Sequence, residues 1–141
     1  MRYVLDSCVA IKWELREADS DRAIRLRDDG RQGYHSFLAP DVFPAEVAHA
    51  ITRAERKGRI TPAEGASSLV ELIAERPLIF PSLPLIHRAY SLSSAYRIGV
   101  YDCVYVALAE REGCELVTAD DKLLKNLGPH FPLIRPLASF P

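Results

Sequence analysis

The chain is predicted to fold as a single α/β domain: a short, mostly parallel sheet with helices on both faces and a protruding helical hairpin. Three observations predict this. Short apolar runs of strand length alternate with helix-length segments, the pattern of parallel strands joined by crossover helices. The 141 residues are 48% hydrophobic and 26% charged, which fits one globular domain with a sizeable core. No repeat, low-complexity tract or linker divides residues 1–141.

Arg2 to Leu5 is a short apolar run ending in an acid, and reads as a buried strand with Asp6 and Ser7 at its C-terminal end. Cys8 to Trp13 follows as a short helix that Asp6 or Ser7 caps. Residues 20–29 form a polar amphipathic helix with Ala23, Ile24 and Leu26 among its apolar positions and Gly30 as its stop. Phe37 to Pro40 is a second strand. Asp41 caps the next helix, residues 42–57, in whose first turn Pro44 is tolerated, and Gly58 ends it.

Thr61-Pro62-Ala63-Glu64 opens another helix, running to Ala74. The threonine caps, the proline takes the first helical position, and the glutamate reaches back to complete a capping box. The two helices make an antiparallel hairpin. Leu78 to Phe80 is a third strand, followed by a helix from Pro84 to Tyr96. The stretch Gly99 to Glu110 then holds a helix that is apolar almost all round, and so buried on most sides, with Asp102 at its start as an N-cap. Gly113 ends it. Glu115 to Thr118 is a fourth strand, and Ala119-Asp120-Asp121 leads into a short helix that stops at Gly128. Leu133 to Arg135, bracketed by Pro132 and Pro136, is a last edge strand.

Composition excludes several classes. An acid at position 6 interrupts the apolar run a signal peptide needs, and no apolar run is long enough to cross a bilayer. The three cysteines, Cys8, Cys103 and Cys114, are odd in number and lack metal-site spacing, which reads as buried thiols in a reducing compartment, the cytoplasm. A formal net charge of −1 gives no global basic field, so any nucleic-acid role must come from a local site. Neither a G-x-G-x-x-G nor a P-loop is present.

Four acids stand out: Asp6, Glu46, Asp102 and Asp120. Asp6, Asp102 and Asp120 each have an ordinary role as a helix cap, and Glu46 as a favourable acid near a helix N-terminus. In a doubly wound sheet, however, two strand ends and two helix starts bring all four to one edge. Unpaired, they would repel and raise one another's pKa. A hard divalent cation, Mg²⁺ or Mn²⁺, resolves that repulsion, and carboxylates holding such a metal with open water positions are equipment for phosphodiester hydrolysis.

The runs Tyr3-Val4-Leu5-Asp6-Ser7, Ala39-Pro40-Asp41-Val42-Phe43-Pro44-Ala45-Glu46-Val47, Tyr101-Asp102-Cys103-Val104-Tyr105-Val106-Ala107-Leu108-Ala109-Glu110 and Val117-Thr118-Ala119-Asp120 resemble the four blocks of PIN domains, and more narrowly the VapC toxins of toxin–antitoxin pairs. The resemblance covers nearly the whole chain, in order. It implies a Mg²⁺- or Mn²⁺-dependent endoribonuclease, homodimeric and inhibited by an antitoxin. Its acidic positions carry over onto Asp6, Glu46, Asp102 and Asp120, with Glu46 reaching the metal directly or through water. Ser7 and Thr118 match the family's hydroxyl residues and would support the ligands from behind. Asp120 and Asp121 both remain open as the last ligand. Two related alternatives also stay open: an RNA-processing PIN nuclease outside a toxin–antitoxin system, and a PIN scaffold that binds without cutting.

Where relatives often carry an amide, this chain has His49, expected to pack on the helical hairpin. Arg53, Arg56 and Lys57, at helical neighbour spacing, are candidates for holding RNA phosphates, against the plain alternative of cations near a helix C-terminus. Trp13, Tyr34, Tyr96 and Tyr101 are candidates for stacking on unpaired bases, against ordinary packing.

Overall fold

A computed structural model describes residues 1–141. Five strands form one sheet: β1 (Arg2–Leu5), β2 (Ser36–Pro40), β3 (Leu78–Phe80), β4 (Glu115–Thr118) and β5 (Ile134–Pro136). Their spatial order is β3-β2-β1-β4-β5 and every pairing is parallel. Parallel neighbours need crossovers. α1 (Ser7–Ile11) and α2 (Ser20–Arg31) join β1 to β2, and α3 (Phe43–Arg56) and α4 (Pro62–Ala74) join β2 to β3. α5 (Ile86–Tyr96) and α6 (Val100–Glu112) join β3 to β4, and α7 (Asp121–Leu127) joins β4 to β5. The chain steps outward from β1 to β3 and then returns to β4 on the other side of β1. That reversal opens a crevice at the C-terminal ends of the strands.

The expected strands and helices are all present. Val4 and Leu5 in the central strand are fully buried, and so is the run from Cys103 to Ala109 in α6, which accounts for a helix without a polar face. The predicted capping box forms: Thr61 Oγ1 accepts from the Glu64 amide at 3.1 Å, and Glu64 Oε1 from the Thr61 amide at 2.9 Å. α3 and α4 pack as the expected hairpin. No helix is long and apolar enough to cross a membrane.

Three local expectations are corrected. α6 begins at Val100 with Gly99 as its N-cap, so Asp102 sits in the first turn and caps nothing. Asp41 does not cap α3. Its amide donates to the Phe80 carbonyl at 2.8 Å, extending the β2–β3 ladder, and its Oδ2 accepts from the Ser82 amide at 3.1 Å. Gly30 does not stop α2, which runs on to Arg31. Its lack of a side chain instead admits the Phe37 ring, which a Cβ would meet at 2.6 Å.

Candidate active site

Asp6 leaves the C-terminal end of β1 as the N-cap of α1, only 4% exposed. Its Oδ2 accepts from the Thr118 hydroxyl at 2.8 Å and its Oδ1 from the Cys8 amide at 3.4 Å. Thr118, fully buried at the end of β4, also accepts from the Asp120 amide at 3.0 Å. One hydroxyl therefore ties the first acid to the last. Asp120 caps α7 through Oδ1, which accepts from the Lys122 and Leu123 amides at 2.9 and 3.2 Å. Asp121 is exposed as the first residue of that helix.

Glu46 sits half-buried in the first turn of α3. The Tyr105 phenol, buried in α6, donates to its Oε1 at 2.6 Å. Ser7 Oγ lies 3.3 Å from the same Oε1 and 3.5 Å from Asp6 Oδ1, so its proton is shared between the first two acids. Glu46 Oε1 is thus held by two hydroxyls while Oε2 is left free.

The electrostatics follow from this crowding. Burial lifts the Asp6 carboxyl to about 6; the Thr118 hydrogen bond opposes the rise and the charge of Glu46 adds to it. Burial also raises Glu46, against the hydrogen bonds from Tyr105 and Ser7. Asp102 rises to about 7, through burial first and then the charges of Asp6 and Asp120, with Lys122 offsetting part of it. No hydrogen bond to Asp102 contributes. Asp102 therefore lies within reach of the charges of both Asp6 and Asp120. No three of the chain's His, Cys, Asp and Glu side chains are drawn together tightly enough to grip a metal ion by themselves. The donor set is nonetheless all oxygen, and Asp6, Glu46 and Asp102 are each raised in part by a neighbouring carboxylate, the chemistry that suits a hard cation completed by water.

The remaining candidates divide. His49 does not pack on the hairpin. Two residues along a helix is about 200°, so His49 faces away from Ile51, which meets Gly65 of α4. It is exposed instead in a cleft with Ser7, Glu46 and Tyr101. Arg53 and Lys57 line a groove with Ile11, Ala50 and Arg59, on the same stripe of α3 as Glu46. Arg56 is turned off that stripe, and Arg59 is tied to Glu17 at 3.3 Å. Trp13 is buried, donating to the Ala23 carbonyl at 2.9 Å, and Tyr96 packs on His130 and Phe131. Tyr34 is exposed beside the start of β2, at the end of the sheet away from the acids. Only Tyr101 of the four aromatics reaches the acids' cleft.

Sequence reasoning missed Tyr105 and Cys8. Cys8 Sγ accepts from the Ala119 amide at 3.4 Å and lies 3.7 Å from Thr118 Oγ1, packing the turn that carries Asp120. The available signal for Tyr105 was its hydroxyl, one turn after Asp102, in an otherwise apolar helix face.

A family model described as PIN domain matches residues 3–128. Ribonuclease VapC12 of Mycobacterium tuberculosis is 33% identical over 126 residues, covering 89% of this chain and 92% of that protein. Ribonuclease VapC3 of Pyrobaculum aerophilum is 27% identical over 128 residues, covering 89% and 95%. Among solved structures, PAE2754 from Pyrobaculum aerophilum superposes with a TM-score of 0.67 at 21% identity, over 89% of this chain and 79% of that one. VapBC2 from Rickettsia felis, solved with a DNA fragment from its promoter, gives 0.62 at 15% identity, over 96% and 98%.

Proposed function

This chain belongs to the PIN domain family, and from that membership we propose that it is a metal-dependent endoribonuclease acting as the toxin of a toxin–antitoxin pair. The observation that carries the reading is the convergence of Asp6, Glu46, Asp102 and Asp120, from four separate segments, on one crevice where burial and mutual charge raise three of their pKa values. The relatives named ribonuclease VapC support the substrate class, and the VapBC2 neighbour supports an antitoxin partner.

Asp6, Asp102 and Asp120 would hold Mg²⁺, or Mn²⁺ in its place, with Glu46 engaged directly or through water. Bound there, the cation supplies Lewis acidity and positive charge against the phosphodiester. The chain's own residues do the rest. Thr118 fixes one oxygen of Asp6, so its carboxylate enters the crevice in one orientation. Tyr105 and Ser7 fix Oε1 of Glu46 and leave Oε2 to accept a proton from water, a task its raised pKa suits. As the water oxygen joins phosphorus, its proton passes to Glu46, and the severed P–O bond leaves its electron pair on the ribose oxygen. Arg53 and Lys57 extend the same stripe of α3 and would hold flanking phosphates. An RNA target would be met in the cytoplasm. A second copy of the chain would cover the exposed Leu83, Ile86 and Tyr90.

The test is cleavage of a structured RNA pool by the purified chain in Mg²⁺, Mn²⁺ or EDTA, beside Asp6→Asn. Cutting is expected with either metal, lost in EDTA and in the variant. A folded, antitoxin-free chain that cuts nothing would favour a binding scaffold. Cutting without interference from a co-expressed small upstream gene product would favour a processing nuclease.

A further inference from the structure

Beside the acids lies a cleft of about 760 Å³ that the hydrolytic chemistry does not use. Ser7 and Glu46 form the wall shared with the acids; Asp41, Val42, Ala45, His49 and Tyr101 form the rest. Its position is set by two of the four acids. His49 follows Glu46 by one turn of α3, and Tyr101 immediately precedes Asp102 in α6. A phosphodiester held at the acids would place an adjoining nucleotide beside this cleft.

The lining selects what can enter. Tyr101 is an aromatic side chain 63% exposed, next to apolar Val42 and Ala45. No lysine or arginine lines the cleft, while Asp41 and Glu46 do, so a phosphate is repelled. A base has what fits: a neutral flat face for Tyr101 and a polar edge for fixed acceptors. Asp41 is such an acceptor, because the Ser82 amide holds its Oδ2 and leaves Oδ1 free. A carboxylate there favours an edge that presents N–H donors. Oδ2 keeps a second lone pair beside the Ser82 bond, so the carboxylate still takes two donors side by side, which guanine offers in N1–H and its exocyclic amine; adenine and cytosine set a ring acceptor beside their amine, and uracil flanks its one N–H with carbonyls.

We propose that this cleft is a nucleobase subsite that receives the base next to the cut and prefers guanine, with Tyr101 stacking on the base and Asp41 accepting from its edge. The inference rests on the ribonuclease reading.

The test combines cleavage with direct binding. A random single-stranded RNA pool is cut by the full chain in Mg²⁺ and the ends are sequenced, with Tyr101→Ala, Tyr101→Phe and Asp41→Asn alongside, each checked for an unchanged thermal transition. Guanine is expected to be enriched beside the cut. Tyr101→Ala should raise KM about ten-fold or more at near-normal kcat, the loss of one stacked base, and Tyr101→Phe should keep the wild-type KM. Asp41→Asn should flatten the guanine preference. Variants that cut with wild-type KM and preference would overturn the subsite and leave the nuclease standing. If the chain does not cut, quenching of a 2-aminopurine oligonucleotide by the wild type but not by Tyr101→Ala would still support the subsite, and no quenching would overturn it. Unchanged RNA handling with weakened capture of the antitoxin would make the cleft a protein-docking surface and overturn the proposal as well.

Discussion

Burial and the charges of Asp6 and Asp120 hold the Asp102 carboxyl at about 7, against an ordinary value of 3.8. Asp6 is held at about 6. Both folded carboxyls keep protons that the unfolded chain has already released, so folding is favoured below pH 4 and that advantage disappears as pH rises through about 6 to 7. In EDTA, the thermal midpoint is therefore expected to fall between pH 5 and pH 8. Asp102→Asn should flatten that slope and stabilise the chain at pH 8 by about 1–2 kcal/mol, after discounting for the solvent that reaches this half-buried group. Thermal denaturation across that range checks it, and a less stable variant at pH 8 would mean the carboxylate makes a favourable contact. At this scale the four acids were legible in the sequence because each sits at a strand end or a helix start. Which way the adjacent Asp120 and Asp121 turn was not: the folded chain makes Asp120 the cap of α7 and leaves Asp121 exposed. Tyr105 was hidden for another reason: its ring fits an apolar helix, and only the folded chain brings its hydroxyl to Glu46.

α3 carries two chemistries on one stripe, Glu46 near its start and Arg53 and Lys57 in its later turns. Reversing charge at both, Arg53→Glu with Lys57→Glu, should weaken RNA cleavage several-fold and lower its salt dependence by about one to two charges' worth. Cleavage rates from 50 to 200 mM salt, typical of such titrations, measure this, and unchanged rates and slope would remove the basic stripe from the RNA path. Element positions were readable from caps and breakers, as the Thr61–Glu64 box shows. Starts were less so. α6 begins at Val100 because Gly99 serves as its N-cap, and Asp102 gains the same dipole from inside the first turn. His49 was misplaced because the helix's apolar face was identified without knowing which flank α4 would cover.

A mostly parallel sheet with its layering was legible from the alternation of short apolar runs with helices, and the folded sheet is parallel throughout. The strand order was not, because β1 joins partners from distant parts of the chain, and local pattern does not say which. Nor does pattern reveal surfaces. Leu83 is 80% and Tyr90 67% exposed, on the 3-10 turn Leu83–Leu85 and on α5, away from the acids in sequence. If a second copy covers them, Leu83→Glu with Tyr90→Glu should turn a dimer into a folded monomer, read by light scattering and circular dichroism. A wild-type monomer would rule that face out as a homodimer interface. The hydrogen bond from Thr118 to Asp6 spans 112 residues, and that span bears on synthesis. A ribosome must add 112 residues after Asp6 before the threonine that orients it exists. Over that stretch the nascent polypeptide carries Asp6 without its hydroxyl partner. The carboxylate is thus left unoriented until Thr118 has been added, and long-range pairing of this kind is slow to form.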